Sequence, residues 1–222
     1  ANPANIMGAS KRLMEMIGFN HAEGCFSSAR FANVAFSNGS LLNAFLNRLD
    51  QREPLSAPVD IRRFFITPED AARLCLLTAF ASPAGRIGIP KASSEIELTS
   101  FVDVAKNVLA IHGFEPLYCE SEEEARGIRP IDGRWPCFFF ESDTSGEKPY
   151  EEFIASGEAL AESPFEEISL IGKLISPSDE ALQEVLAVNP LRMSKDEVLR
   201  RVAAVVPEFH HIETGKNLDQ RM

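Results

Sequence analysis

The sequence has no apolar run of 18 residues, so it encodes no helix able to cross a bilayer. No basic stretch followed by an apolar one opens it, so no secretory signal is visible. Positive charge is in the minority: 22 Lys and Arg stand against 33 Asp and Glu, a net −11. That balance argues against a nucleic-acid binder or a protein drawn to anionic membranes, both of which need clustered cations. An anionic small substrate remains admissible, because a local pocket can oppose the global sign. The cysteines, Cys25, Cys75, Cys119 and Cys137, never fall at C-x-x-C spacing, which removes a zinc knuckle or a dithiol redox motif. They read as reduced thiols in core or strand positions. His21, His112, His210 and His211 form no ligand pattern, so no metal is expected, and the His210-His211 pair in the polar tail reads as surface.

What remains is an ordinary globular composition, 45% apolar and 25% charged over 222 residues. Length alone gives a prior of one domain or a domain and a half. Ile6, Leu13, Met14 and Ile17 carry helical spacing over 4–17, with Gly18 as the stop. Ala29 to Phe36 reads as one buried strand of a parallel sheet. Leu41 to Leu49 is an amphipathic helix, and Pro54 and Pro58 punctuate a loop or edge segment. Thr67-Pro68-Glu69-Asp70 has the cap, proline and acid of a helix start, and the helix runs to about Ala81. Arg86 to Pro90 predicts a short strand. Thr99 predicts the cap of a helix to His112 with Phe101, Val104, Ala105, Val108 and Leu109 inward and Gly113 beyond its end. Phe114–Cys119 and Trp135–Glu141 are strands, and an acidic helix starts at Ser121. Helices over Ser178–Val188 and Ser194–Val206 flank Asn189-Pro190. Strands alternating with helices give an α/β class, although the strands are few for the length. No G-x-G-x-x-G turn follows a strand, whereas a complete dinucleotide-binding fold would show one near its start.

The most informative stretch is Asn2-Pro3-Ala4-Asn5-Ile6-Met7-Gly8-Ala9-Ser10-Lys11-Arg12. Met7 and Lys11, four apart on a helix, share a face at roughly 5–6 Å between Cβ atoms. Further along come Arg30-Phe31-Ala32-Asn33-Val34, Ser37-Asn38-Gly39-Ser40-Leu41, Arg63-Phe64-Phe65-Ile66-Thr67 and Gly146-Glu147-Lys148-Pro149-Tyr150-Glu151-Glu152. These five runs, in register over about 150 residues, resemble the nucleotide-sugar 4,6-dehydratases of polysaccharide biosynthesis. That group is a branch of the extended short-chain dehydrogenase/reductases, with Met7 in the slot of the catalytic Tyr and Lys11 as its partner Lys.

The resemblance implies the C-terminal part of such an enzyme. Its fold would be α/β: an incomplete Rossmann sheet, a small α+β substrate domain and C-terminal helices. The expected boundaries are 1–50 for the remainder of the dinucleotide-binding domain and 51–169 for the substrate domain, with a returning strand near 86–90. Residues 170–222 would be a helical extension, acting as a cap, a lid or an oligomerisation element. The implied reaction is an internal redox loop on UDP-N-acetylglucosamine or a close relative. Hydride leaves sugar C4, water is lost across C5 and C6, and the hydride returns to C6. NAD or NADP is the implied cofactor, bound mainly by a portion that would precede Ala1, with Lys11 reaching it and relaying protons. Met7 has neither acid nor base function and is assigned packing. Asn33 is assigned to the substrate phosphates, Arg63 to the diphosphate through its planar fork, and Glu147 to the ribose diol. A cytoplasmic enzyme forming an oligomer of identical chains is implied, and the chain alone is expected to be inactive. The family's acid–base run would end just before Ala1. One departure stands out: Ser142-Asp143-Thr144-Ser145 replaces an Arg-Pro directly before Gly-Glu-Lys, leaving Arg129 or Arg134 as substitutes for the lost cation. Two alternatives stay open, a nucleotide-sugar epimerase and a non-catalytic nucleotide-sugar-binding or interaction subunit.

Overall fold

Hydroxyl side chains mark the helix starts of this chain. Ser40, Ser100, Ser121, Ser178 and Ser194 each accept a hydrogen bond from the backbone N–H three residues on, satisfying a donor that the helix itself leaves unpaired. The computed structural model describes residues 1–21, 25–91, 98–172, 177–189 and 191–214. In chain order it runs α1 (Ile6–His21), β1 (Ser28–Ala29), β2 (Asn33–Val34), α2 (Leu41–Asp50), β3 (Leu55–Pro58), β4 (Arg62–Arg63), β5 (Phe65–Ile66) and α3 (Pro68–Phe80). It continues with β6 (Ile87–Pro90), β7 (Thr99–Ser100), α4 (Phe101–Ile111), β8 (Glu115–Cys119), α5 (Glu122–Gly127) and β9 (Arg134–Phe140). The last elements are β10 (Leu160–Ala161), β11 (Ile168–Ile171), α6 (Asp179–Leu186) and α7 (Lys195–Val205).

Two compact units result, each discontinuous in sequence, so they do not follow the sequential boundaries expected at residues 50 and 169. The first unit comprises Ala1–Phe31, Ala72–Ser93 and Asp143–Met222. Its sheet has the order β1-β6-β11-β10, with β1 parallel to β6 and the other pairings antiparallel. Ala9 and Met16 of α1 pack with Ile87, Ile171, Leu182, Val202 and Phe209, so the C-terminal helices cover the apolar face of α1. A second cluster forms around Leu74, Ile168 and Leu170. Gly88 is required by close approach: a Cβ there would lie 2.0 Å from Thr78 Oγ1.

The second unit comprises Ala32–Ala71 and Ser94–Ser142. Its main sheet has the order β3-β9-β8, all parallel, with β3 at an edge, as Pro54 before it and Pro58 at its end suggest. Phe45 and Leu49 of α2 and Val104, Ala105, Val108 and Leu109 of α4 pack with Leu55, Ala57, Trp135 and Cys137 of the sheet. The Trp135 indole N–H donates to the Glu53 carbonyl at 2.9 Å, which satisfies the polar atom of an otherwise buried ring. Two short ladders complete the unit, β2 parallel to β5 and β4 antiparallel to β7.

Several expectations are corrected. Ala29 to Phe36 is not one buried strand: β1 belongs to the first unit, β2 to the second, and neither is fully buried. Gly18 does not stop α1, which continues to His21. A Cβ at Gly18 would meet the Phe26 ring at 2.4 Å, so the glycine serves packing. The cap of α4 is Ser100, because Thr99 and Ser100 are held in β7 opposite Arg63 and Arg62. Strands are not few; the pairs too short to show a period escaped the sequence pattern. His210 is exposed, but His211 is half-buried against Phe209 with Glu213 at 3.0 Å. Pro190 and the end of the extension, 215–222, lie outside the described residues.

Candidate functional site

In the first unit the Asn-Pro-Ala-Asn run builds the start of α1. Asn5 is its cap: Oδ1 accepts from Gly8 N at 2.8 Å, and the backbone carbonyl accepts from Ala9 N at 3.0 Å. The same amide donates from Nδ2 to the Gly146 carbonyl at 3.0 Å. Gly146 has φ +72°, and a Cβ there would lie 2.5 Å from Asn5 Cβ, so the turn must be glycine on both counts. One side chain therefore joins the helix carrying Met7 and Lys11 to the turn carrying Glu147. Met7 is 64% exposed and Lys11 is exposed beside it, one turn on. Among the described residues no ion pair engages Lys11.

Beneath this exposed face lies a buried ionic network. The Arg30 guanidinium holds Glu15 bidentately, Nε to Oε1 at 2.9 Å and Nη2 to Oε2 at 2.7 Å, and holds both oxygens of Glu158 at 2.7 and 2.8 Å. Arg12 donates to Glu15 at 3.1 Å, Glu158 at 2.8 Å and Glu208 at 2.9 Å. Burial by itself would raise Glu158, but hydrogen bonds from Arg30 and the Ala155 N–H, with the charges of Arg30 and Arg12, outweigh it and hold its pKa at about 2. Glu15 is lowered in the same way: burial opposes, while Arg30, Ser28 and Arg12 prevail. Burial also acts against the Arg30 cation, and Glu158 and Glu15 more than restore it, so its pKa rises. The network fixes α1, β1 and the 153–158 segment to one another.

The tail after α7 straps the same region. His210 N donates to the Pro3 carbonyl and Ile212 N to the Ala4 carbonyl, both at 3.1 Å. Ser145, within the run that departs from the family pattern, donates to Glu213 and accepts from Thr214 N, each at 3.0 Å. Lys195 of α7 pairs with Glu213.

In the second unit Asn33 is exposed and lies opposite Phe65 in the parallel β2–β5 ladder, its backbone N–H on the Phe64 carbonyl at 3.0 Å. Arg63 is buried, with Nη1 on the Arg62 carbonyl at 2.9 Å and the guanidinium 5.6 Å above the Phe101 ring. Phe101 also meets Phe65, centroids 6.4 Å apart. Arg63 thus packs on the Phe101–Phe65 pair, Asn33 is the ladder partner of Phe65, and Arg62 is exposed on the opposite parity of β4. Burial pushes the Cys137 thiol up to about 12, aided by Cys119 on the adjacent strand, so it is no nucleophile at neutral pH. Among the described residues no cluster of His, Cys, Asp and Glu could hold a metal ion, and no helix is long and apolar enough to cross a membrane.

The sequence reading missed Glu15, Arg30, Glu158 and Glu208. The i, i+3 spacing of Arg12 and Glu15 was open to notice; Glu158 and Glu208 lie 146 and 196 residues from Arg12, beyond any local pattern.

The class is therefore an α/β protein whose Met7–Lys11 helix face is tied to a Gly-Glu-Lys turn. Residues 1–173 match the family model described as polysaccharide biosynthesis protein, and the chain belongs to that family. It is 29% identical over 176 residues to the capsular polysaccharide biosynthesis protein CapD of Staphylococcus aureus, covering 75% of this chain and 25% of the relative. It is 31% identical over 178 residues to the probable polysaccharide biosynthesis protein EpsC of Bacillus subtilis, covering 78% and 26%. The chain spans about a quarter of the length of these relatives. Among solved structures, Pen from Bacillus thuringiensis superposes with a TM-score of 0.59 at 22% identity, covering 78% of this chain and 49% of that one, a likeness of fold.

Proposed function

We propose that this chain is the substrate-binding portion of a nucleotide-sugar 4,6-dehydratase acting on UDP-N-acetylglucosamine or a close relative, within the polysaccharide biosynthesis role of its family. The observation that carries the reading is the Met7–Lys11 face of α1, exposed and joined through Asn5 to the Glu147 turn. Lys11, exposed and outside any ion pair among the described residues, is the residue that would meet a bound nicotinamide dinucleotide. When bound, NAD or NADP would supply the hydride acceptor for sugar C4 and the donor for C6.

Lys11 holds or relays the proton of the C4 hydroxyl as the ketone forms. Met7, where other enzymes of this type have a proton-bearing Tyr, shapes the wall beside it. Asn33 orients the diphosphate, Arg63 supplies the cation that a chain of net −11 needs locally, and Glu147 accepts from the ribose diol. The test is product analysis of the full-length protein supplied with UDP-N-acetylglucosamine and NAD or NADP. A product lighter by one water, carrying a 4-ketone, supports the reading. An isomer of unchanged mass replaces it with an epimerase.

A further inference from the structure

Phe36 occupies a backbone conformation that its side chain disfavours. It follows β2 by two residues, in the turn Val34-Ala35-Phe36-Ser37 closed by Ser37 N on the Val34 carbonyl at 3.4 Å. Its φ is +58°, in the left-handed region, at a turn position where glycine or asparagine is usual. A bulky residue there is an outlier. The loop is held around it: Ser37 Oγ also donates to the Val34 carbonyl at 2.9 Å, Ser40 N donates to the Ser37 carbonyl at 2.9 Å, and Ser40 caps α2. The ring is 59% exposed and, among the described residues, in no aromatic contact. Backbone strain of this kind clusters at active sites, ligand clamps and switch regions. The place agrees. The short parallel strands β2 and β5 end together at Val34 and Ile66, immediately before this turn. Asn33 is exposed three residues earlier.

We infer that Phe36 is a specificity residue whose ring stacks on the uracil base of the nucleotide sugar. The inference rests on the function proposed above. A planar base offers the π-face that an exposed phenyl ring lacks in the free protein, and a side chain without a planar π-system cannot replace that stacking.

The test is calorimetric titration of the full chain and of Phe36→Asn and Phe36→Tyr, each with UDP and with inorganic diphosphate, alongside thermal unfolding. Asparagine accepts the left-handed conformation and removes the ring. Phe36→Asn is expected to bind UDP about 3–10-fold more weakly, to bind diphosphate as the parent does, and to unfold at a temperature no lower than the parent. Phe36→Tyr keeps parental UDP affinity. Unchanged UDP binding by Phe36→Asn overturns the inference and leaves the proposed function standing. Equal weakening toward UDP and diphosphate also overturns it, because the ring would then act only through loop geometry. A parent chain that binds no UDP overturns the proposed function itself, and this inference with it.

Discussion

Replacing Glu158 by glutamine removes the carboxylate shared by Arg12 and Arg30 while keeping its shape. Glu158 is 6% exposed in its side chain, so solvent screens its ion pairs little. Its pKa is about 2 against an ordinary 4.5. At about 1.4 kcal/mol per pKa unit, the ionised form contributes roughly 2–4 kcal/mol to folding. The sign follows from the depressed folded-state value. The stability is fully present above the unfolded pKa near 4.5 and is lost as pH falls toward 2. Urea unfolding of parent and Glu158→Gln should therefore differ by about 2–4 kcal/mol between pH 5 and 7, with the gap closing steadily below about pH 4. Carboxylates outside the network titrate alike in both proteins and cancel from the difference, while Glu15 and Glu208, which share Arg12 with Glu158, are drawn more strongly to the arginines in the variant. A gap that stays constant from pH 7 to 2.5 would refute the reasoning, since the glutamate would then act by shape or packing rather than by ionisation.

Asn5→Ala removes both the α1 cap and the tether to Gly146, and should lower stability by about 1–3 kcal/mol in urea with an unchanged denaturant slope. Lys11→Met in the full-length protein should cut C4 oxidation by about 10²–10⁴-fold with little change in substrate affinity. Met7→Leu should be mild, because a volume-conserving swap at an exposed site costs less than about 1.5 kcal/mol. Arg63→Ala should weaken UDP binding by roughly 1.5–3 kcal/mol; Arg62→Ala should do much less. Because Arg63 is buried on Phe101, both variants are compared by titration at temperatures where each is shown to be folded.

Much of the fold is legible where one element fills its own period. The inward positions of α4 emerge from spacing alone, and Gly113, at φ +78°, ends it as expected. Thr99 and Ser100 are equally good caps in sequence, and only the folded geometry, in which Ser100 Oγ accepts from Asp103 N, assigns the cap to Ser100. β10 spans Leu160–Ala161 between acidic residues, too short for alternation to register, and its existence depends on β11 beside it. The candidate site divides similarly. The Met7–Lys11 offset is a property of one helix and is readable. That Asn5 reaches Gly146, or that Arg30 joins Glu15 to Glu158, depends on chain closure over more than a hundred residues. The strain at Phe36 is equally hidden, since nothing in the letters Ala-Phe-Ser requires a positive φ.

Isotope tracing follows the proposed internal redox loop atom by atom. The full-length protein is incubated with NAD or NADP and UDP-N-acetylglucosamine deuterated at C4, and the product is examined by mass spectrometry and NMR. A 4,6-dehydratase gives loss of one water, a ketone at C4 and the deuterium relocated to C6. Deuterium retained at C4 of a product of undiminished oxygen content would contradict it.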